Sequence, residues 1–232
     1  MFPASLREAV YEANMELSRR HLITYTWGNV SGIDRASGLF AIKPSGVAYE
    51  DLSPEKLVVL DLEGHVVEGN LNPSSDTKTH LELYKAFPEI GGVVHTHSPF
   101  ATAWAQAAES IPCYGTTHAD TFRGPIPCVR ALTPAELAED YEGNTGRIIV
   151  AAFREAGLDP KHLPAALCAH HGPFTWGKDA AQAVVHAVIL EEVARMALLT
   201  RQVNPAAPLA PQALQDTHFL RKHGPHATYG QR

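Results

Sequence analysis

Two histidines separated by one residue, His95 and His97, end the apolar run that starts at Gly91. Side chains alternate between the two faces of a strand, so both imidazoles project from one face, about 6 to 7 Å apart along it. Two imidazoles at that separation can bind one metal ion. Paired histidines also occur on ordinary surfaces, so further ligands are needed. The candidates elsewhere in the chain are Asp76 and the tandem His170-His171.

The tandem His170 and His171 follow the apolar run from Leu163 to Ala169, which predicts a buried strand. Adjacent residues of a strand point to opposite faces, so only one of the two imidazoles can face the same ion. We expect the other to pack against the protein or to meet solvent.

Three short polar stretches could hold a phosphate group. They are Gly28-Asn29, Ser45-Gly46 beside Lys43, and Ser74-Ser75 before a predicted helix. Backbone amides in such loops and at helix N-termini can face an anion. Each stretch also has an ordinary structural interpretation, because Gly-Asn suits a hairpin turn and serine before a helix is most often its cap. The combination of Lys43 with three serines in two loops favours the phosphate site.

Asp120 ends a polar segment, Gly115 to Asp120, between Pro112 and Pro125. The segment has no nearby cation to neutralise the carboxylate, so Asp120 could act as a general base. The ordinary alternative is a loop residue that caps a helix or is solvated.

The composition excludes several classes of protein. The formal charge of the 232 residues is -6 with both signs interspersed, which does not suit a nucleic acid backbone. Three cysteines without a Cys-Xaa-Xaa-Cys spacing favour a reducing cytoplasm. The N-terminus lacks a signal peptide, and charges interrupt the most apolar stretch, Ala180 to Leu199. We therefore expect a soluble cytoplasmic protein with one domain over residues 1–232. The 13 histidines raise the expectation of metal or acid-base chemistry.

Hydrophobic periodicity and capping signals predict the elements that must position these residues. The first predicted helix runs from a Ser5–Glu8 capping box to His21. Further helices are predicted from Asp76 to Pro88, from Pro99 to Ala108, over a short span after Thr133 and from about Gly146 to Gly157. The last predicted helix runs from Asp179 to Arg201, with Val185, Ile189, Met196 and Leu199 turned inward. The predicted strands include Leu39 to Ile42 and a hairpin of Leu57 to Leu62 with His65 to Val67. Beyond a proline-rich connector, structural reasoning alone makes residues 212–232 a fraying tail.

Seven motifs in order resemble the class II aldolase and epimerase superfamily, in particular its sugar-phosphate 4-epimerases. They are Thr-Trp-Gly-Asn-Val-Ser at 26–31, Lys-Pro-Ser-Gly-Val at 43–47, Pro-Ser-Ser-Asp-Thr at 73–77, Val-His-Thr-His-Ser at 94–98, Thr-Thr-His-Ala-Asp at 116–120, His-Gly-Pro-Phe at 171–174 and Tyr-Gly-Gln at 229–231. The similarity covers nearly the whole chain, and the conjunction of the seven is far more specific than any one.

The resemblance implies a three-layer α/β/α fold with a largely antiparallel central sheet. It also implies a fourfold homotetramer with a divalent metal, usually zinc, in a site between subunits. The matching positions assign Asp76, His95, His97 and His171 to the metal; Gly28, Asn29, Lys43, Ser45, Gly46, Ser74 and Ser75 to the phosphate; Asp120 and Tyr229 to acid-base catalysis; and Thr116, Glu142 and His218 to supporting positions. Tyr229, in the tail at about 212–232, would be contributed by a neighbouring subunit, and His170 receives no role.

The activity implied is the epimerisation of L-ribulose 5-phosphate at C4 to D-xylulose 5-phosphate, in L-arabinose catabolism. The C4 hydrogen is not acidic, so direct proton abstraction would be slow. Retro-aldol cleavage of the C3–C4 bond, with rotation and re-addition of the aldehyde, avoids that step. The metal would act as a Lewis acid, and Asp120 and Tyr229 would exchange protons from opposite sides.

Three other functions fit part of the pattern. A class II aldolase of the L-fuculose-phosphate type shares the paired histidines and the loops, but has glutamate where this chain has Asp76. A non-haem iron oxygenase would use the histidines and leave the phosphate loops unexplained. A zinc-stabilised module without catalysis would show no turnover of a ketose phosphate.

Overall fold

The computed structural model describes residues 2–224 and residue 227, and a central sheet carries the histidines. The sheet has eight strands in the order β4-β3-β2-β1-β5-β8-β7-β6. Neighbouring strands are antiparallel, except that β6 and β7 are parallel. The strands are β1 Gly28–Asp34, β2 Leu39–Ile42, β3 Val58–Asp61, β4 Val66–Glu68, β5 Gly92–Thr96, β6 Cys128–Val129, β7 Ala165–Cys168 and β8 Gly172–Gly177.

Helices cover both faces of this sheet. They are α1 Ala4–Arg19, α2 Thr77–Ala86, α3 Pro99–Gln106, α4 Thr116–Ala119, α5 Pro134–Glu155, α6 Ala180–Val203 and α7 Gln212–His223. Among the described residues, no helix is both long and apolar enough to cross a membrane. The expected α/β/α fold with a largely antiparallel sheet is confirmed, as is the β3–β4 hairpin.

Alternation along the strands fills a core on each face. Phe40 and Ile42 of β2 pack in the core under α2 and α5, whereas Ala41 between them belongs to the core under α1 and the first half of α6. Val93 and Val94 of β5 divide between the two cores in the same way. Because both faces are covered, β2 (Leu-Phe-Ala-Ile) is a continuous apolar run and β3 is apolar up to its last residue.

The strand β5 lies at the centre of the sheet, between β1 and β8. Its first residues pass close to the start of α6: a Cβ built on Gly92 would lie 2.4 Å from the backbone nitrogen of Ala180, and one on Gly91 would lie 2.1 Å from the carbonyl oxygen of Lys178. Real Cβ contacts are not that short, so both positions require glycine. This packing sets the position of β5 against α6.

Several predicted boundaries are wrong for local reasons. Helix α1 begins at Ala4 after an N-cap at Pro3 that makes no side-chain bond, so Ser5 is inside the first turn rather than in a capping box. Gly28-Asn29 is neither a hairpin turn nor a loop, because it opens β1 and pairs with β5. The helix start after Thr133 is confirmed, and Thr133 and Glu136 form a capping box there.

Helix α5 is longer than predicted. It continues from Pro134 to Glu155 across a kink at Asp140, whose φ of -163° and ψ of 80° are not helical. Tyr141 to Gly146, predicted to precede a separate helix, lies within this element. Gly146 permits close packing on α2, since a Cβ there would lie 2.6 Å from that of Glu82.

Helix α6 has the predicted start, with Asp179 accepting a hydrogen bond from the backbone of Gln182. Of the four residues predicted to face inward, Ile189 packs against the core, whereas Val185, Met196 and Leu199 are 53%, 45% and 45% exposed. Half of the ten buried positions are alanines, which allow the helix to lie close to the sheet. Val184, Leu190 and Val193 form the rest of the apolar inward face.

The C-terminal segment is not a fraying tail as far as it is described. Residues Gln212–His223 form α7, and Phe219 is buried with 2% of its surface exposed. Helix α7 packs on α4, beside Asp120. Tyr229 lies outside the described residues.

Candidate functional site

Three histidines from separate segments converge at one end of β5. His95 is in β5, His97 follows the strand's last residue, and His171 is in the turn between β7 and β8. One nitrogen from each ring can be chosen so that all three lie within 4.8 Å of one another. The antiparallel pairing of β5 with β8 places His95 opposite Phe174, which brings the His171 turn alongside. The structure thus brings together the three predicted imidazole ligands.

The hydrogen bonds of His95 show which nitrogen is available to bind a cation. Its Nδ1 lies 2.9 Å from the carbonyl oxygen of Pro173. A carbonyl can only accept, so Nδ1 carries the hydrogen and Nε2 keeps its lone pair. That Nε2 is buried and has no hydrogen-bond partner in the part of the chain that the structure describes. A buried acceptor without a partner is costly, and a cation bound by three such nitrogens removes the cost. The residues therefore fit a divalent metal.

The surroundings of the half-buried His171 and the exposed His97 favour their neutral imidazoles. Burial lowers the pKa of His171 to about 3, with a further contribution from the adjacent His95. Burial and His95 also place the pKa of His97 below its ordinary value. Neutral imidazole is the form that binds metal. Both rings are thus poised as ligands at neutral pH without first losing a proton.

His170 is exposed, as expected for the member of the tandem that does not join the cluster. It adopts a left-handed conformation with φ of 63°, and its backbone N–H donates to the carbonyl of Ala105 at 2.9 Å. His170 lies in the turn that positions His171, and His170 itself is exposed.

Asp76, at the start of α2, is next to the three histidines but is not part of their cluster among the described residues. Its Oδ2 accepts hydrogen bonds from Asn29 Nδ2 at 2.7 Å and from Ser74 Oγ at 3.4 Å. Burial disfavours its ionised form, but the nearby histidines, chiefly His95, and the Asn29 bond outweigh burial and lower the pKa of Asp76. Asp76 is therefore an anion beside the histidines, held by the residues predicted to bind phosphate.

A cavity of about 500 Å³ joins the histidines to the predicted phosphate-binding residues. Its lining includes all seven of those residues, Gly28, Asn29, Lys43, Ser45, Gly46, Ser74 and Ser75, together with Asp76 and the three histidines. Backbone bonds between the loops hold them together: Ser45 N donates to Asn72 O at 2.9 Å, and Ser74 N to Lys43 O at 3.1 Å. The predicted grouping of these loops around one cavity is observed.

Lys43 is a cation with little solvent around it. Only 2% of its surface is exposed, and Nζ donates to the carbonyl of Val47 at 2.5 Å and lies 4.9 Å from the ring centre of Tyr49. Burial lowers the pKa of Lys43 to about 8. No carboxylate pairs with Nζ among the described salt bridges, so an anionic group in the cavity would provide its counter-charge.

Asp120 contradicts the expectation of a carboxylate without a nearby cation. It caps the C-terminus of α4, and α7 surrounds it. His218 Nδ1 is 3.0 Å from Oδ1, Arg221 Nη2 is 3.2 Å from both oxygens, and Lys222 Nζ is 3.2 Å from Oδ2. Burial favours the protonated acid, yet these hydrogen bonds lower the pKa of Asp120. The error arose because the cations come from about 100 residues further along the chain.

The supporting residues divide between two places. Glu142 lines the cavity. Thr116 and His218 lie with Asp120 in the α4–α7 cluster, and none of these three lines the cavity of its own chain. The cavity that holds the histidines is therefore separate from the Asp120 cluster within one chain.

Sequence reasoning missed Trp27 and Tyr141, which also line the cavity. Trp27 is 55% exposed, and its ring centre lies 6.3 Å from that of His97. Tyr141 Oη lies 3.2 Å from His171 Nδ1. The position of Trp27 beside Gly28 was a usable signal, whereas Tyr141 reaches the site through the α5 kink, which no local pattern indicated.

Comparison with known protein families identifies the class of protein to which this chain belongs. Residues 8–198 match the family described as class II aldolase and adducin N-terminal domain. The chain belongs to this family.

Individual relatives are similar to this chain over nearly its whole length. The chain is 56% identical over 227 residues, 98% of its length and 99% of the relative, to a protein named L-ribulose-5-phosphate 4-epimerase UlaF from Salmonella paratyphi B. The protein of the same name from Salmonella typhi is 55% identical over the same shares.

Solved structures agree on the fold. An L-fuculose 1-phosphate aldolase, 24% identical, superimposes with a TM-score of 0.80 over 94% of this chain and 96% of that one. YgbL from Klebsiella pneumoniae, described as a putative aldolase/epimerase/decarboxylase, is 26% identical with a TM-score of 0.72, covering 92% of this chain and 97% of the other.

Proposed function

We propose that this protein is a metal-dependent L-ribulose-5-phosphate 4-epimerase that forms D-xylulose 5-phosphate. The observation that carries the proposal is one cavity containing three converging imidazoles, a buried lysine and two serine loops. A ketose phosphate has a matching distribution of groups, with carbonyl and hydroxyl oxygens at one end and a dianionic phosphate at the other. The 56% identity to the Salmonella paratyphi B epimerase supports this substrate.

His95, His97 and His171 would hold the cation, with Asp76 as a further ligand. We propose Zn²⁺, because histidine nitrogens and carboxylate oxygens are among its usual ligands in proteins. When bound, the ion supplies Lewis-acid polarisation of the oxygens at C2 and C3. Pro173 orients His95 through its carbonyl, so the protein fixes the direction of at least this ligand.

The proposed phosphate-binding residues would hold the aldehyde fragment, which must rotate before it is added back. Cleavage of the C3–C4 bond leaves a three-carbon enediolate and glycolaldehyde phosphate. Lys43 and the backbone amides near Ser45 and Ser74 would retain the phosphate while the aldehyde rotates about its remaining bonds. Re-addition to the opposite face inverts C4, and retention of both fragments distinguishes this reaction from that of an aldolase.

Proton exchange at the C4 oxygen needs an acceptor on one side and a donor on the other, because that oxygen loses its proton on cleavage and regains one on re-addition. We propose Asp120 and Tyr229 for these roles. Asp120 is ionised at neutral pH because α7 lowers its pKa, so it has the charge state of an acceptor. Tyr229 is assigned on the Tyr-Gly-Gln motif alone.

The separation of Asp120 from its own cavity supports an assembly in which a second copy completes each site. We propose the homotetramer implied by the family resemblance. The outward apolar residues of α6, including Val185, Met196 and Leu199, are suited to burial between subunits. We also propose a cytoplasmic protein, since all three cysteines are free thiols.

The test is an assay of the purified protein with L-ribulose 5-phosphate, before and after removal of metal by a chelator. We expect D-xylulose 5-phosphate, loss of activity on chelation, and recovery on adding Zn²⁺ back. Accumulation of dihydroxyacetone and glycolaldehyde phosphate instead would identify an aldolase. No turnover with metal present would overturn the proposed function.

A further inference from the structure

At the kink in α5, the carboxylate of Asp140 lies between two positively charged side chains. The Asp140 carboxylate accepts hydrogen bonds from Lys78 Nζ of α2 at 2.7 Å and from Arg147 Nη2 at 2.9 Å. Thr79 Oγ1 of α2 donates to the carbonyl of Glu142 at 2.7 Å. These contacts tie the residues flanking Tyr141 to α2, so the backbone at Tyr141 is anchored although the residue itself is 37% exposed.

The kink points the Tyr141 ring at His171. Tyr141 Oη is 3.2 Å from His171 Nδ1, and the two ring centres are 5.9 Å apart. The same tyrosine lines the cavity of about 500 Å³ that holds the three histidines. It therefore touches both a candidate ligand and the space where substrate would bind.

A histidine that binds metal through one nitrogen usually donates the hydrogen on its other nitrogen to an oxygen, which fixes the ring's orientation and tautomer. For His95 that oxygen is the carbonyl of Pro173. For His171 the hydroxyl of Tyr141 is in the equivalent position.

We propose that Tyr141 is the positioning residue of His171: it accepts a hydrogen bond from Nδ1–H and thereby directs the Nε2 lone pair toward the cation. This inference rests on the proposed function, because it assumes that His171 binds metal. When Tyr141 accepts from His171, its own O–H is left to donate to an oxygen atom inside the cavity.

The test is metal affinity of Tyr141→Phe, which keeps the ring and removes the hydroxyl. We expect binding of Zn²⁺ or Co²⁺, measured by competition with a chromophoric chelator, to weaken about 10- to 100-fold. The visible spectrum of the Co²⁺ form should change as well, while the melting temperature of the metal-free protein stays that of the wild type. Tyr114→Phe is the matched control, since its hydroxyl contacts Arg201, and it should bind metal normally.

The variant His171→Asn separates the hypothesis that His171 binds metal from the hypothesis that Tyr141 orients His171. If His171→Asn loses the metal while Tyr141→Phe binds it with wild-type affinity and spectrum, the role of Tyr141 is wrong and the metal site stands. If His171→Asn keeps full metal affinity, the proposed metal site is itself wrong. If Tyr141→Phe lowers the melting temperature of the metal-free protein as well as the metal affinity, the hydroxyl acts in folding and the inference is overturned.

Discussion

The state of each histidine depends on its surroundings more than on its position in a motif. His80 illustrates this, since burial lowers its pKa to about 3, yet its Nδ1 lies 2.7 Å from Ser31 Oγ and it is outside the three-histidine cluster. His95 differs because its free nitrogen shares a cavity with two others. A histidine is suited to bind metal when its imidazole is neutral and its free nitrogen lies close to the nitrogens of other histidines.

Replacing His97 with asparagine should remove the metal while the protein remains folded. His97 follows β5 and faces the cavity, so its loss removes a ligand without opening a hole in either core. We expect metal content to fall to background and activity to be lost, with the far-ultraviolet circular dichroism unchanged. Full zinc content in the variant, measured by atomic emission, would contradict the assignment.

The buried cation of Lys43 predicts a pH dependence of substrate binding. Because its pKa in the free protein is about 8 instead of the ordinary 10.5, Lys43 is charged below that pH and loses its charge above it. The phosphate then loses a charge-assisted hydrogen bond, so the apparent KM should rise by roughly tenfold as the pH increases through about 8.

Lys43→Met serves as the control for that profile. Its KM should be high at every pH and should lack the rise, with kcat changed much less, because phosphate contacts persist through the reaction. A variant with normal KM and lost kcat would place Lys43 in the chemistry instead of in binding.

Among the elements, α3 begins two residues after His97 and is held by a carboxylate from α6. Glu191 accepts hydrogen bonds from the backbone nitrogens of Phe100 at 2.8 Å and Ala101 at 2.9 Å, while Ser98 makes no capping bond. Free amides at a helix N-terminus favour a negative charge. Glu191 is therefore the cap of α3, supplied from a distant part of the chain.

Glu191→Ala should lower the free energy of unfolding by about 2 to 4 kcal/mol, because the buried amide of Ala101 and the partly buried amide of Phe100 lose a charged acceptor. Urea denaturation at neutral pH measures this loss. The neighbouring Glu192 is exposed, and Glu192→Ala should change stability by no more than about 0.5 kcal/mol. Equal effects of the two substitutions would show that the bonds to α3 contribute nothing specific.

Elements with strong local signals were predictable, and those set by distant contacts were not. Strand β2 was predicted at its observed residues, and the grouping of the histidines and loops followed from strand alternation and family resemblance. The outward face of α6 was missed because alanine has little weight in a periodicity argument, although its size decides how closely the helix packs. The α5 kink depends on Lys78 and Arg147, and the cations around Asp120 come from α7. Lys78 is 62 residues from Asp140, and Arg221 is 101 residues from Asp120, so these contacts are not visible within a sequence window.

At the scale of the whole molecule, the proposed assembly predicts complementation between inactive chains. His97→Asn removes the metal ligand set, and Asp120→Asn removes the acid-base group. If each site combines the histidines of one copy with Asp120 of another, tetramers reassembled from an equal mixture should have about a quarter of their sites intact. Activity should return to roughly that fraction of the wild-type value.

Native mass spectrometry checks that hybrid tetramers have formed. Either variant unfolded and reassembled alone should stay inactive, which controls for refolding. Hybrids of confirmed composition that remain as inactive as their parents would mean that Asp120 acts within its own chain or not at all.

The glycines that bring β5 against α6 limit how this enzyme can be altered. Since neither Gly91 nor Gly92 has room for a Cβ, the strand that carries His95 cannot move without dislodging α6. Attempts to change which sugar phosphate is accepted, by evolution or in the laboratory, should therefore succeed through substitutions in the rim around Trp27 and in the serine loops. Libraries directed at β5 should yield mostly unfolded proteins, whereas libraries directed at the rim should retain bound metal while substrate preference varies.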